Sequence, residues 1–91
     1  MVNKKADEKM IDELFELISS LKTKQDCKIL FEDLCTVKEI EQMAQRIKAA
    51  KLLLEGKTYQ QVTEACDIST ATLSRVSRCT KYGKGYTTYL K

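Results

Sequence analysis

One short segment after Ser69 carries hydroxyl, methyl and cationic groups that would share one face of a helix. At about 100° per residue, these side chains fall within about 120° of one another. They are Thr70, Ala71, Ser74, Ser77, Arg78 and Lys81. The opposite side carries Leu73, Val76 and Cys79, as expected of a core face. Small polar groups let a helix enter the major groove of DNA, and cations reach phosphates.

A helix-turn-helix over residues 58–78 would position this face. Thr58 followed by Gln61 fits a capping box, which starts a short first helix. Asp67 breaks the helical pattern, and Ser69 is a favoured N-cap for the second helix. The apolar residues recur where the two helices of such a motif pack together: Val62, Cys66, Ile68, Leu73 and Val76.

Two positions depart from the common form of the motif. Thr63 stands where alanine is usual and crowds the helix crossing slightly. Asp67 stands where glycine is usual, and Asp tolerates the left-handed conformation of such a turn better than most residues. The alternative interpretation is that residues 58–76 are simply small helical core.

The charge of the chain is unevenly distributed. Residues 1–45 carry seven Lys and Arg against ten Asp and Glu, a net charge of −3. Residues 46–91 carry nine against three, a net charge of +6. Cations that neutralise phosphates release condensed counterions, so the basic half favours a polyanionic partner. The alternative is ordinary solvated lysine.

The residue types give no support to an enzyme or a metal site. The four cysteines form no C-x-x-C pair, and the chain contains no histidine. The commonest general base and a common zinc ligand are therefore missing. We expect reduced thiols that pack as small apolar groups. A weaker alternative is a redox sensor acting through Cys79, which lies near Arg75 and Arg78.

Two amphipathic helices are predicted at the start of the chain, over residues 6–21 and 25–34. In the first, apolar side chains recur every three or four residues between acidic ones. In the second, we expect four side chains to be buried: Cys27, Leu30, Phe31 and Leu34.

A longer central helix is predicted over residues 36–56. Thr36 and Glu39 fit a capping box at its start, and Gly56 fits the left-handed position at its end. Leu52 and Leu53 widen its apolar surface beyond a single stripe. Five or six short helices cannot easily cover a helix that is apolar on several sides, so we expect an obligate homodimer.

These elements predict one all-α domain of five to six short helices. Residues 1–35 would form dimerisation helices, 36–56 the central helix, 58–78 the helix-turn-helix and 79–91 a C-terminal tail. No apolar run approaches the ~18 residues of a membrane span, and no signal peptide opens the chain. We therefore expect a cytoplasmic protein without a membrane partner.

The segment from Leu34 to Lys81 resembles the tryptophan-repressor family of bacterial transcription regulators. The likeness lies in "LCTVKEIEQMAQRIKAAKLLLEGKTYQQV" and "ISTATLSR", with a one-residue deletion around residues 56–58. It implies an intertwined homodimer that presents two helix-turn-helix units to successive major grooves of double-stranded DNA. Repression is expected from the family and because no second domain that could recruit polymerase is visible.

The resemblance also implies which residues meet DNA. The matching positions are Gln60, Thr63, Ser69, Thr70, Ala71, Thr72, Ser74 and Lys81. The helical periodicity adds Arg78 to this set. Together they predict that Thr70, Ala71 and Ser74 face bases, while Arg78 and Lys81 face phosphates.

The family repressor binds tryptophan as corepressor, and Thr36, Arg46 and Arg75 match three residues of its pocket. Two further pocket positions differ. Val76 replaces a glycine whose bare backbone lies close to the ligand, and Cys79 replaces a serine that helps to hold the ligand's amino group. The sequence therefore favours another small effector, or none, over tryptophan.

The C-terminal "TKYGKGYTTYLK" also departs from the family, which ends in a longer helix. Only residues 86–90 could form a short one. We expect this tail to pack Tyr86, Tyr89 and Leu90 on the partner. The alternative is a flexible phosphate-contacting loop formed around two glycines by Lys81, Tyr82, Lys84 and Tyr86. For the whole chain, the alternative to DNA binding is a helical module that binds protein.

Overall fold

The computed structural model describes the backbone of residues 4–91 and the side chains of residues 7–91. This part of the chain is all α-helical, as predicted, and contains no strand. Its six helices are α1 (Lys4–Ser19), α2 (Lys24–Leu34), α3 (Val37–Leu54), α4 (Tyr59–Ala65), α5 (Thr70–Tyr82) and α6 (Gly85–Tyr89). No helix among them combines the length and apolar character needed to cross a membrane.

Local hydrogen bonds end α3 and begin α4. Gly56 has φ +90, and its N–H donates to the Leu53 carbonyl at 3.0 Å. The N–H of Lys57 donates to the Leu52 carbonyl at 3.0 Å, which completes a Schellman motif. Directly afterwards, Thr58 and Gln61 form the predicted capping box, with both of its hydrogen bonds present. The direction of the chain from α3 into α4 is therefore set by short-range interactions.

The chain divides into two compact units, one ending at Thr36 and the other spanning Val37–Lys91. In the second unit, α3 packs against α4, α5 and α6. Ala49 and Ala50 are fully buried there, since their methyl groups leave room for a close helix crossing. The rest of its core is formed by Val62, Cys66, Leu73 and Val76, with Ile68 packed against it, as predicted.

The first unit contains α1 and α2, and its apolar side chains are largely uncovered. No residue of α2 is buried, so the prediction that Cys27, Leu30, Phe31 and Leu34 are buried is wrong. Leu30 and Phe31 are half-buried, while Cys27 and Leu34 are exposed. In α1, Phe15 is 61% exposed. Within this unit, α1 and α2 therefore leave much of their own apolar pattern exposed.

The C-terminal segment folds back onto the second unit. Gly83 ends α5, and its N–H donates to the Cys79 carbonyl at 2.9 Å. Helix α6 follows, and Tyr86 and Leu90 pack against the core of the same chain. These two residues therefore pack at least partly on their own chain, whereas Tyr89 is 84% exposed, and packing of the tail on a partner stays a prediction.

Two neighbouring glycines provide a matched test of how this segment is held. A Cβ at Gly83 would lie 2.7 Å from the Cys79 carbonyl oxygen, whereas a Cβ at Gly85 would meet nothing within 4 Å. We expect Gly83→Ala to lower the free energy of unfolding by about 1–3 kcal/mol, as overpacking does. Gly85→Ala, the control, is expected to raise it by about 0.4–1 kcal/mol, because alanine restricts the unfolded chain. Urea denaturation followed by circular dichroism measures both, and equal effects would contradict the close approach at Gly83.

Candidate nucleic-acid interface

The turn between α4 and α5 sets the angle of the predicted recognition helix. The Ile68 N–H donates to the Cys66 carbonyl at 3.0 Å, which closes a three-residue turn centred on Asp67. No non-glycine residue of the described chain has a positive φ. The turn is thus of the inverse γ type, and the expectation of a left-handed residue at Asp67 is wrong. Asp is accommodated here because this turn needs no left-handed residue.

The start of α5 is held by a side-chain cap. Ser69 is its N-cap, and its Oγ accepts a hydrogen bond from the Thr72 N–H at 3.2 Å. The Ser69 hydroxyl also donates to Thr72 Oγ1 at 2.9 Å. Both hydroxyls are therefore oriented by each other, which leaves the Thr72 hydroxyl hydrogen available to an external acceptor.

The predicted face of α5 points to solvent, with one exception. The exposed residues on it are Thr70, Ala71, Ser74, Arg78 and Lys81. Ser77 is only 3% exposed, so its assignment to this face is wrong. A helical wheel assigns residues by angle alone, and the packed neighbours of α5 cover more of its circumference than the apolar residues indicate. The remaining face changes from small side chains at its start to cations at its end.

Two residues of α4 that are predicted to contact DNA form hydrogen bonds within their own helix. The Gln60 Nε2 donates to Glu64 Oε1 at 3.3 Å, and the Thr63 Oγ1 donates to the Gln60 carbonyl at 2.9 Å. Gln60 is exposed and Thr63 is half-buried. The bond to Glu64 uses one of the two amide hydrogens of Gln60, which leaves the second free to donate to a phosphate.

A groove of about 520 Å³ lies beside α5, within the second unit. Four residues of the predicted effector pocket line it: Arg46, Arg75, Val76 and Cys79. The fifth, Thr36, belongs to the other unit. Exposed Ala71 and half-buried Thr72 of α5 also line the groove, which therefore adjoins the candidate DNA-binding face.

Tyr86 also lines this groove, and the sequence-based prediction missed it. It comes from α6, after the turn at Gly83, so no helical spacing relates it to Arg75 or Cys79. Val76 is 1% exposed, and its branched side chain belongs to the core. The groove thus has two guanidinium groups, a phenol and a thiol around a floor closed by an isopropyl group.

Residues 9–91 match the protein family described as Trp repressor protein. YerC of Bacillus subtilis, a protein without a characterised function, is 48% identical over 75 residues, which cover 82% of this chain and 72% of YerC.

Two solved structures resemble the fold at 41% sequence identity. A candidate Trp repressor from Staphylococcus aureus has a TM-score of 0.85, with 89% of this chain and 82% of that chain covered. A TrpR-like protein from Eubacterium eligens has a TM-score of 0.86, with 94% and 90% covered. These matches extend the resemblance beyond the helix-turn-helix into the N-terminal helices. The chain belongs to the Trp repressor family, a family of helix-turn-helix regulators and not of enzymes.

Proposed function

We propose that this protein is a transcriptional repressor that binds a palindromic operator in double-stranded DNA as a homodimer. The observation that carries the proposal is the exposed face of α5, which combines small polar groups with cations. Membership of the Trp repressor family supports the same conclusion. In this proposal the chain is one domain with four parts. The dimerisation helices are residues 1–35, the central helix is residues 36–56, the DNA-binding helix-turn-helix is residues 58–78 and the C-terminal tail is residues 79–91.

The order of side chains along α5 suits a helix that enters the major groove by its N-terminal half. Thr70, Ala71 and Ser74 are short, so the backbone can approach the base edges closely. Hydroxyl groups donate to or accept from bases, and a methyl group contacts the thymine methyl. Arg78 and Lys81 follow one to two turns later, at the distance where a helix leaves the groove and meets phosphates.

Exposed apolar surface supports the homodimer. In α1 this surface is formed by Met10, Ile11, Phe15 and Leu17. In the second unit, an apolar groove of about 430 Å³ is lined by residues that include Ile47, Tyr89 and Leu90. Large apolar side chains exposed in this number are typical of an interface, and a second copy would remove them from water. Two-fold symmetry would then match a palindromic site with half-sites about one helical turn apart.

The first prediction concerns base reading, measured after selecting a site from a random duplex pool. We expect Ser74→Ala or Thr70→Ala to reduce discrimination against a single base-pair change by about 1 kcal/mol. Lys81→Ala should weaken binding to all sequences and lower the salt slope by about 0.9 for each lost phosphate contact. Titrations on matched and altered duplexes at several salt concentrations separate the two effects.

Uniform weakening by all three substitutions would contradict base reading. Binding to duplex DNA that is no stronger at about 50 mM than at about 200 mM salt would overturn DNA binding itself, because phosphate contacts must be salt-sensitive. The hypothesis of a protein-binding module would then take its place.

The second prediction concerns the homodimer. We expect Phe15→Ser to weaken dimerisation about a hundredfold or more, because an isologous interface loses the same side chain twice. The side chain is 61% exposed in the single chain, so its loss should not unfold the protomer. Sedimentation equilibrium measures the mass, with Tyr82→Ser as the control at another exposed aromatic position. A dimer as tight as wild type would exclude α1 from the interface.

The third prediction concerns the groove beside α5. We expect no heat of binding with tryptophan up to about millimolar concentration. Val76 closes the floor where close approach is needed, and the Cys79 thiol is a weak partner for an ammonium group. Isothermal titration calorimetry tests this, alongside operator selection with and without a mixture of free amino acids. Enrichment of a palindrome only with amino acids would contradict the prediction and establish a corepressor.

A further inference from the structure

The basic charge of the chain is concentrated after the turn of the helix-turn-helix. The 24 residues from Ile68 to Lys91 contain five cations and no carboxylate. All five side chains are exposed: Arg75, Arg78, Lys81, Lys84 and Lys91. Arg78 and Lys81 belong to the proposed DNA-binding face, whereas Lys84 lies beyond the end of α5.

Tyr82 extends the exposed face of α5 to the last residue of the helix. It follows Arg78 by four residues, so the two side chains lie on the same side of the helix. Tyr82 is 83% exposed, whereas Tyr86 packs against the core. Of these two tyrosines, which lie four residues apart, Tyr82 is the more exposed, and its side chain is open to an external partner.

The length of α5 separates Tyr82 from the bases. At 1.5 Å per residue, Tyr82 lies about 18 Å along the axis from Thr70. The major groove is about 12 Å wide. When Thr70 and Ala71 reach the bases, the C-terminal end of α5 therefore lies over the sugar-phosphate backbone that borders the groove.

Local hydrogen bonds define the turn after Tyr82. Gly83 adopts φ −87 and ψ 170, and its N–H donates to the Cys79 carbonyl. The Lys84 carbonyl accepts hydrogen bonds from the Thr88 N–H at 3.0 Å and from the Thr87 hydroxyl at 3.3 Å. Tyr86 packs against the core two residues later, so the backbone at Lys84 is held between the end of α5 and this contact.

We propose that Tyr82 and Lys84 form a second phosphate-binding element, which extends the DNA interface beyond the recognition helix. The inference rests on the proposed function. Lys84 neutralises one backbone phosphate, and the Tyr82 hydroxyl donates to a phosphate or sugar oxygen. These contacts do not depend on the base sequence, so they strengthen binding to every duplex.

The test uses a random-sequence duplex, because phosphate contacts do not depend on the operator. We expect Lys84→Gln to lower the slope of log affinity against log salt by about 0.9 for each phosphate contact removed, which is about fifteenfold in affinity at 50 mM salt and about fourfold at 200 mM. Tyr82→Phe should weaken binding about three- to tenfold, as loss of one hydrogen bond does. Its slope should stay unchanged, since no charge is removed.

Lys28→Gln is the matched control, since it removes one charge from an exposed lysine of α2. It should retain the wild-type slope. An equal slope change in Lys28→Gln and Lys84→Gln would show an effect of net charge and overturn the proposal.

Lys81→Gln distinguishes failure of the second phosphate-binding element from failure of DNA binding by α5. Wild-type binding by Lys84→Gln and Tyr82→Phe, with weakened binding by Lys81→Gln, would overturn this inference and leave the proposed function intact. Absence of salt-dependent binding by the wild-type chain would overturn the proposed function, and this inference with it.

Discussion

The close packing of α3 against α5 is the contact on which the second unit depends. Ala49 and Ala50 are fully buried, and their small side chains let the axis of α5 come near. Leu73 and Val76 fill the space on the α5 side of this core. Helices α4 and α6 then complete it through Val62, Tyr86 and Leu90. A larger residue at either alanine would force α5 outward, since packed interiors absorb extra volume only with strain.

This packing also determines which side of α5 faces outward. The apolar side is used against α3, so hydroxyls, a methyl group and cations remain on the surface. A short cap orients the first turn through Ser69 and Thr72, and a turn at Gly83 fixes the chain after the last. Local hydrogen bonds therefore define the backbone at both ends of the helix, and such preorganisation would reduce the conformational entropy lost in the proposed binding to DNA.

The first unit, in contrast to the second, leaves its apolar side chains largely exposed. Its helices have clear apolar patterns, yet α2 buries no residue and Phe15 of α1 is mostly exposed. A chain of 91 residues has little core of its own, and burying apolar surface against a second copy stabilises such small domains. This part of the chain is acidic, whereas the C-terminal part is basic. The proposed DNA contacts therefore lie in the C-terminal part, where the cations are concentrated.

The sequence by itself determined the features that depend on residues three or four positions apart. The capping box at Thr58, the cap at Ser69 and the left-handed Gly56 follow from such local hydrogen bonds, and all three were predictable. The tertiary structure alone decided the burial of Ser77 and the placement of Tyr86 in the groove that Arg75 also lines. These depend on how helices distant in sequence pack, and neither periodicity nor capping contains that information.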